Sequence, residues 1–401
     1  MDERETKWEA QFEQWMQPFL AQFGHKGQRR WAPVYLRGLI APGERKSVEP
    51  MARRQCPGDH EQLHHFVATS PWETSGHECV LLEKAEALVG GRESHLIIDD
   101  TALVKKGTHS VGVAHQYCGQ LGKGANCQAL VSLTLARDDM PVAVALRLYL
   151  PKAWAEDAAR RRKCGVPEEI VFRPKWKIAL DEIERVVASG TTFGDVLADA
   201  GYGMCAEFRR GLTDLGLRWA VGISCDQFVY AMSTRLRPIE AQAEGRPRTR
   251  HAATAKPRRA RDVIASLGPH ALSTVAWRHG TKGPLSAEFT ALRVRVADGE
   301  PVTDHRHGPG DEVWLLCERR SGGETKYHLS NYPADTPLEV LVASLKSRWA
   351  CEQAHQQMKE ELGLDHFEGR SWSGLHHHAL LTMIAFAFLQ HLRKRENKAA
   401  A

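Results

Sequence analysis

The stretch "HLIIDDTALVKKGTHSVGVAHQYCGQLGKGANCQALVSLTLARDDMPVAVALRLYL", residues 95 to 150, decides the fold. Within it "HLIIDD", "VAHQYCGQ", "CQALVSLTLA" and "PVAVALRLYL" are apolar or alternating runs separated by Gly-, Asn- or Asp-containing turns, the pattern of strands. The spacing predicts a three-stranded antiparallel meander whose third strand bends near Asp138 to Met140. A basic connection follows, then a helix ("WKIALDEIERVVASG"), a strand ("FGDVLAD"), a helix after "AGYG" and another strand ("RWAVGIS"). Meander, helix, strand, helix, strand is the element order of a ribonuclease-H-like α/β domain.

Working outward, the first ninety residues read as helices. Trp8, Phe12, Trp15 and Phe19 fall on one apolar stripe, with Pro18 expected to end or kink that helix. Asp59 and Gln62 have capping-box spacing before "HEQLHHFVA", and "ECVLLEKAEALVGG" closes on the Gly pair typical of a helix end. Arg29, Arg30, Arg37, Arg45, Lys46, Arg53 and Arg54 make this region basic. Residues 226 to 335 break the α/β rhythm. They contain a run with seven Lys or Arg and no acid, "GRPRTRHAATAKPRRAR" (245 to 261), followed by strand-like segments, and read as a β-rich insertion. The division expected is a helical N-terminal domain (1–90), whose basic residues suit DNA binding, an RNase-H-like core (91–225), the insertion (226–335) and C-terminal helices of the core (336–395).

A chain of 401 residues, 42% hydrophobic, can bury a sizeable core. Its start, "MDERETKWEAQF", is charged throughout, and its longest apolar run, "ALLTMIAFAFL", is too short to cross a bilayer. A cytoplasmic protein with no membrane partner is expected. Nine cysteines form no C-x-x-C pair, which points to buried reduced thiols and away from a zinc site. The net charge of +5 is small, so the local clusters matter more than the sum.

Asp100 sits where the apolar run Leu96–Ile98 ends in "DDT", and Asp199 where "VLA" ends in "DAGYG". Strand-end carboxylates on neighbouring strands can converge at one rim of a sheet, and hard oxygens of this kind suit Mg²⁺ or Mn²⁺. Taken singly, each aspartate reads as a turn residue before it reads as a ligand. Near the C-terminus, "SRWACEQAHQQMKEELG" (347 to 363) reads as one long helix. At 100° per residue, Glu352 lies roughly 40° and Lys359 roughly 20° round from Arg348. A carboxylate flanked by cations on one face suits a metal and a phosphate backbone, although a solvated Arg–Glu pair has the same spacing. "HHH" at 376 to 378 cannot ligate one ion, because consecutive helical residues point about 100° apart. Trp277 and Trp349 could stack on a base, with core packing the commoner role.

Together, "DDT" followed by Lys105 and Lys106, "ADAGYG", and the spacing R-(3)-E-(6)-K in Arg348, Glu352 and Lys359 resemble the DDE transposases of bacterial insertion sequences, in the superfamily marked by Y-(2)-R-(3)-E-(6)-K. "KKGTHSVGVAHQYCGQLGKGANCQ" and "ELGLDHFEGRSW" are similar to its insertion-sequence-701 family. The motif's Tyr position falls at Leu345. The resemblance implies an RNase-H-like (retroviral-integrase-like) catalytic domain with a β-rich insertion between the second and third acids. It implies Asp100, Asp199 and Glu352 as the catalytic and metal-holding triad, with Asp100 chosen over Asp99 because the family's acid immediately precedes Thr. Mg²⁺ or Mn²⁺, two ions, would be the cofactor. Water would nick the transposon end, and the freed 3′-hydroxyl would attack target DNA. The partners implied are double-stranded DNA, both terminal inverted repeats and target, and a second copy of the chain in the synaptic complex. DNA contacts are expected from Arg348, Lys359, Lys105 and Lys106, and from Arg246, Arg248, Arg250, Arg258 and Arg259 of the basic run. The alternatives are a transposase-derived DNA-binding regulator that no longer cuts, and an RNase-H-fold nuclease.

Overall fold

The computed structural model describes residues 3–237, 251–280, 283–303 and 306–400, and the fold is mixed α/β. Five helices open the chain: α1 (Glu3–Ala21), α2 (Lys26–Ile40), α3 (Val48–Gln55), α4 (His60–Ala68) and α5 (Ser75–Val89). The stripe foreseen on α1 is real, with Phe12, Trp15 and Phe19 buried and Trp8 stacked on Phe12 at 5.2 Å. Pro18 does not end the helix. It lies inside the last turn, where it removes one backbone bond, and α1 stops at Ala21. Asp59 precedes α4 without making a side-chain cap and lies 3.8 Å from Arg30. The capping box occurs at α2 instead, where His25 Nδ1 accepts from Gly27 N–H and Gln28 Oε1 from His25 N–H.

Four strands follow: β1 (His95–Val104), β2 (Ala114–Cys118), β3 (Lys123–Arg137) and β4 (Met140–Leu148). The bend expected near Asp138 is a hairpin turn, with Asp138 at φ 55°, a conformation aspartate tolerates in turns. Long β3 is the hub. Cys127 is paired with both Val104 of β1 and Ala114 of β2, so β1 lines one edge of β3 while β2 and β4 follow each other along the other. The short helices α6 (Lys152–Ala155) and α7 (Ala158–Cys164) lead to α8 (Lys175–Ala188).

From Asp195 the chain builds β5 (Asp195–Ala198), α9 (Ala200–Gly203), α10 (Ala206–Asp214), β6 (Trp219–Ile223), β7 (Phe228–Tyr230), the short α11 (Ala260–Ala265), four longer strands and α12 (Leu338–Ser347). Two helices close it, α13 (Trp349–Glu360) and α14 (Trp372–Ala400). The single long helix read around Glu352 is therefore two, interrupted at Arg348.

The chain divides into two compact units, residues 1–194 with 349–401, and residues 195–348. In the first, β3 and β4 are buried along almost their whole lengths, and α14 contributes Leu380, Ile384, Phe386 and Phe388 to the core. Arg147 of β4 forks between Glu78 of α5 and Glu182 of α8, a desolvated network that ties two helices to the sheet. In the second, β5 and β6 run parallel, and Thr325–Ser330, Glu312–Arg319 and Gly283–Val296 extend the sheet antiparallel from β6. Ser273–Gly280 and β7 both pair with Gly283–Val296.

Candidate active site

Asp100 does not end its strand. It sits inside β1 opposite Val131 of β3, because alternation continues through Thr101 and Leu103, both buried. Successive residues of a strand face opposite sides, and the two aspartates meet different helices. Asp99 accepts from the Sγ of Cys351 on α13 at 3.4 Å and from the backbone N–H of Asp100 at 2.7 Å. Asp100 meets α8, whose first residue, Lys175, donates to Oδ2 at 2.5 Å. Both side chains of that pair are about one-third exposed, 32% for Lys175 and 34% for Asp100, so water only partly screens the contact.

Glu352 lies in the first turn of α13 and is exposed, a place where the helix dipole favours a carboxylate. The register of α13 is fixed by Cys351 on Asp99 and by buried His355, whose Nε2 is 2.7 Å from the Oγ of Ser132, the cross-strand partner of Asp99. Lys359 shares the face of Glu352, seven residues on, and is partly buried, with Nζ 3.3 Å from Gln120 Oε1. Burial pulls its pKa below the ordinary lysine value, with Asp365 opposing. Lys105 is partly buried too and donates to the carbonyl of Phe367 at 2.7 Å, which pins the "GLDHFEG" segment to β1, whereas Lys106 is exposed.

In the other unit, Asp199 follows β5 directly and caps α9, accepting from the N–H groups of Gly201 at 2.9 Å and Tyr202 at 3.3 Å. The opposite end of β5 is anchored by the buried Asp195 carboxylate, which accepts from the hydroxyls of Tyr332 and of Ser344 on α12. Small residues leave room around Asp199. A Cβ on Gly222 would come within 2.8 Å of Ala200 N, and one on Gly203 within 2.0 Å of Gly222 O. The resulting cavity, about 450 Å³, is lined by Asp199, Ala200, Gly222, Lys326, His328 and Arg348, with Leu345 also on its wall. Among the described residues the Nε2 of His328 meets no hydrogen-bond partner, and burial pushes this imidazole down to about 4, Glu318 opposing. α12, which presents Leu345, is held to the sheet by Lys346 on buried Glu318, with Arg320 on the same carboxylate at 2.8 Å.

Asp199 and Arg348 thus share one cavity, while Asp100, Glu352 and Lys359 belong to the other unit. Within either unit, among the described residues, no three His, Cys, Asp or Glu side chains are gathered as a metal cluster. The donor set nonetheless suits a hard divalent ion. Asp100 already holds a cation, and Asp199 is a backbone-oriented carboxylate beside Arg348 and Lys326. Arg258 and Arg259 are exposed, Arg259 lying 3.3 Å from Asp226. Arg246, Arg248 and Arg250 lie outside the described residues. The histidine triplet is spent on five structural bonds, His376 to Trp372 O, His377 to Val67 O and Trp72 O, His378 to Tyr35 and Gly363 O. Trp277 packs edge-on against Phe289, with the ammonium of Lys346 4.3 Å from its ring centre. Sequence reasoning missed Lys175, Lys326 and His328, and nothing in their local sequence marks them.

Residues 18–284 match the family model of the DDE superfamily endonucleases, a span that includes Asp100 and Asp199 and ends before Glu352. A probable transposase for insertion sequence element IS701 from Microchaete diplosiphon is 31% identical over 193 residues, 48% of each chain, so the chain spans about half the length of the curated relative it matches. A cryo-EM structure of a piggyBac transposase synaptic complex with hairpin DNA overlaps 93% of this chain and 67% of that one, with 8% identity and a TM-score of 0.42. The family match takes in more than half of the chain, and the chain belongs to the DDE superfamily endonucleases.

Proposed function

We propose that this DDE superfamily endonuclease is the transposase of an insertion sequence, which cuts the element's ends and joins the freed 3′-hydroxyl to target DNA. The observation that carries the reading is the Asp199 cavity, where an oriented carboxylate and the cations Arg348 and Lys326 face one space in a chain of this family. The relative over half the chain, named as a probable insertion-sequence transposase, points the same way.

In this reading the domain is RNase-H-like, and Asp100, Asp199 and Glu352 hold Mg²⁺ or Mn²⁺, two ions whose chemistry is to activate water and to offset charge on the leaving oxygen. The chain's own groups do the rest. Two backbone N–H groups orient the Asp199 carboxylate. Arg348 offers a planar fork to a non-bridging phosphate oxygen and Lys326 a point charge. His328, neutral at neutral pH, adds a hydrogen-bonding edge without further charge. Lys359, on the face of Glu352, takes a neighbouring phosphate, and double-stranded DNA is the partner, bound by two copies of the chain when two ends are paired.

The test is nicking of duplexes that carry the terminal inverted repeats flanking this gene, with and without Mg²⁺. Metal-dependent nicks with 3′-hydroxyl ends, followed by strand transfer, are expected. Tight, sequence-specific binding with no cleavage would instead identify a DNA-binding regulator, and structure-specific cutting without strand transfer a nuclease.

A further inference from the structure

Lys175 stands outside every motif that pointed to the acids, yet it makes the shortest described contact to one of them. Its ammonium lies 2.5 Å from Asp100 Oδ2. Three features make this more than a surface pair. Lys175 is the first residue of α8, fixed by Pro174 before it, so its backbone is rigid where a loop lysine's would not be. The same ammonium sits 5.4 Å from the centre of the Tyr149 ring, a second attraction on the Asp100 side. And α8 is itself clamped to the sheet through Glu182 and Arg147, two turns further along.

A hard divalent ion must approach a carboxylate oxygen to about 2.0–2.1 Å. With Lys175 on Oδ2, that approach brings two positive centres to within a few ångströms of each other in a half-desolvated setting, where repulsion is strong. The charged ammonium and the ion therefore compete for one carboxylate. Four single bonds in the lysine stem allow the ammonium to swing away while still protonated, and once displaced it is a cation facing outward beside the metal-holding acid.

Resting on the reading of Asp100 as a metal ligand, we propose that Lys175 is the resident counter-ion of Asp100: it neutralises the carboxylate before metal arrives, is displaced when the ion binds, and then serves as a phosphate-binding cation for DNA. It is a positioning residue, and no bond is made or broken through it.

Two measurements on the full-length protein without DNA test this. The first is Mn²⁺ affinity by electron paramagnetic resonance for wild type, Lys175→Met, Lys175→Arg and Asp100→Asn. Lys175→Met is expected to bind Mn²⁺ roughly tenfold tighter, the size of effect a neighbouring unit charge has on a carboxylate, while Lys175→Arg stays near wild type. A merely structural lysine gives no gain of affinity when removed. If Asp100→Asn weakens Mn²⁺ binding but Lys175→Met does not tighten it, the counter-ion role is overturned alone. If Asp100→Asn leaves Mn²⁺ binding unchanged, the ligand reading of Asp100 falls and this inference with it. The second needs no variant: acylation of Lys175 in wild type, followed by mass spectrometry, is expected to speed up several-fold when Mg²⁺ is added, and an unchanged rate would contradict displacement.

Discussion

Asp100 and Asp199 are both strand aspartates of one proposed site, and the chain treats them in opposite ways. Asp100 sits in the middle of a long strand and is balanced by a side-chain cation that arrives from 75 residues away. Asp199 sits just past a four-residue strand and is balanced by the two N–H groups of the turn that follows it. A backbone cap cannot leave without unravelling α9, whereas a lysine can swing aside. The difference separates a carboxylate held permanently in place from one whose partner can be exchanged.

Substitution of the acids gives the largest effect. Asp199→Asn should keep its cap, because Asn caps helices as well as Asp, and should leave the melting temperature nearly unchanged while cutting nicking by roughly 10³-fold or more. Asp100→Asn should lose nicking to a similar extent, and the variant also frees Lys175. Nicking that survives Asp199→Asn would remove the Asp199 half of the comparison.

Next comes the network under the Asp100 sheet. Arg147→Ala strands Glu78 and Glu182 in a desolvated place and should destabilise the protein by roughly 3–5 kcal/mol in chemical denaturation. Glu78 carries the same network into pH. Burial opposes its ionisation, but Arg147 outweighs burial and holds it at about 2 rather than 4.5. A folded-state value below the unfolded one means that the stability is fully present above about pH 4.5 and is lost as pH falls toward 2. That interval corresponds to roughly 3 kcal/mol, and Glu78→Gln should abolish this part of the acid sensitivity in pH-dependent denaturation.

Gly203 tests the spacing beside Asp199. A Cβ there would meet the carbonyl oxygen of Gly222 at 2.0 Å, so Gly203→Ala should cost roughly 1–3 kcal/mol in unfolding and reduce nicking more than DNA binding. The smallest effect is at exposed Arg259. Arg259→Ala should change stability by no more than about 0.5 kcal/mol and, if Arg259 meets a phosphate, lower the salt slope of DNA binding by about one.

Much of this architecture was legible because it rests on local pattern. The buried runs of β1, β3 and β4, the apolar stripe of α1 and the Gly90 end of α5 each follow from periodicity or from a residue with a fixed backbone role. What escaped depends on partners far along the chain or on subtle backbone choices. Asp138 turns a strand into a hairpin by adopting a positive φ, where the sequence suggested only a bend. The helix breaks at Arg348 without Gly or Pro, so the one long helix read from the sequence is two. Asp99 and Asp100 are told apart in the sequence by the family resemblance alone, and the assembled fold adds that Cys351 of α13 meets Asp99 while Lys175 of α8 meets Asp100. Lys175 becomes visible as a partner of Asp100, and His328 as a wall of the Asp199 cavity, only once the sheets are assembled.

Asp99 touches the helix carrying Glu352 through the Sγ of Cys351, so the choice between Asp99 and Asp100 is what a measurement must decide. The most direct measurement is therefore anomalous diffraction from crystals grown with Mn²⁺ and end DNA. Manganese peaks within about 2.1 Å of carboxylate oxygens of Asp100, Asp199 and Glu352 are predicted, with Lys175 turned away from Asp100. Manganese bound to Asp99 instead of Asp100, or away from Asp199 and Glu352, would contradict the proposed site.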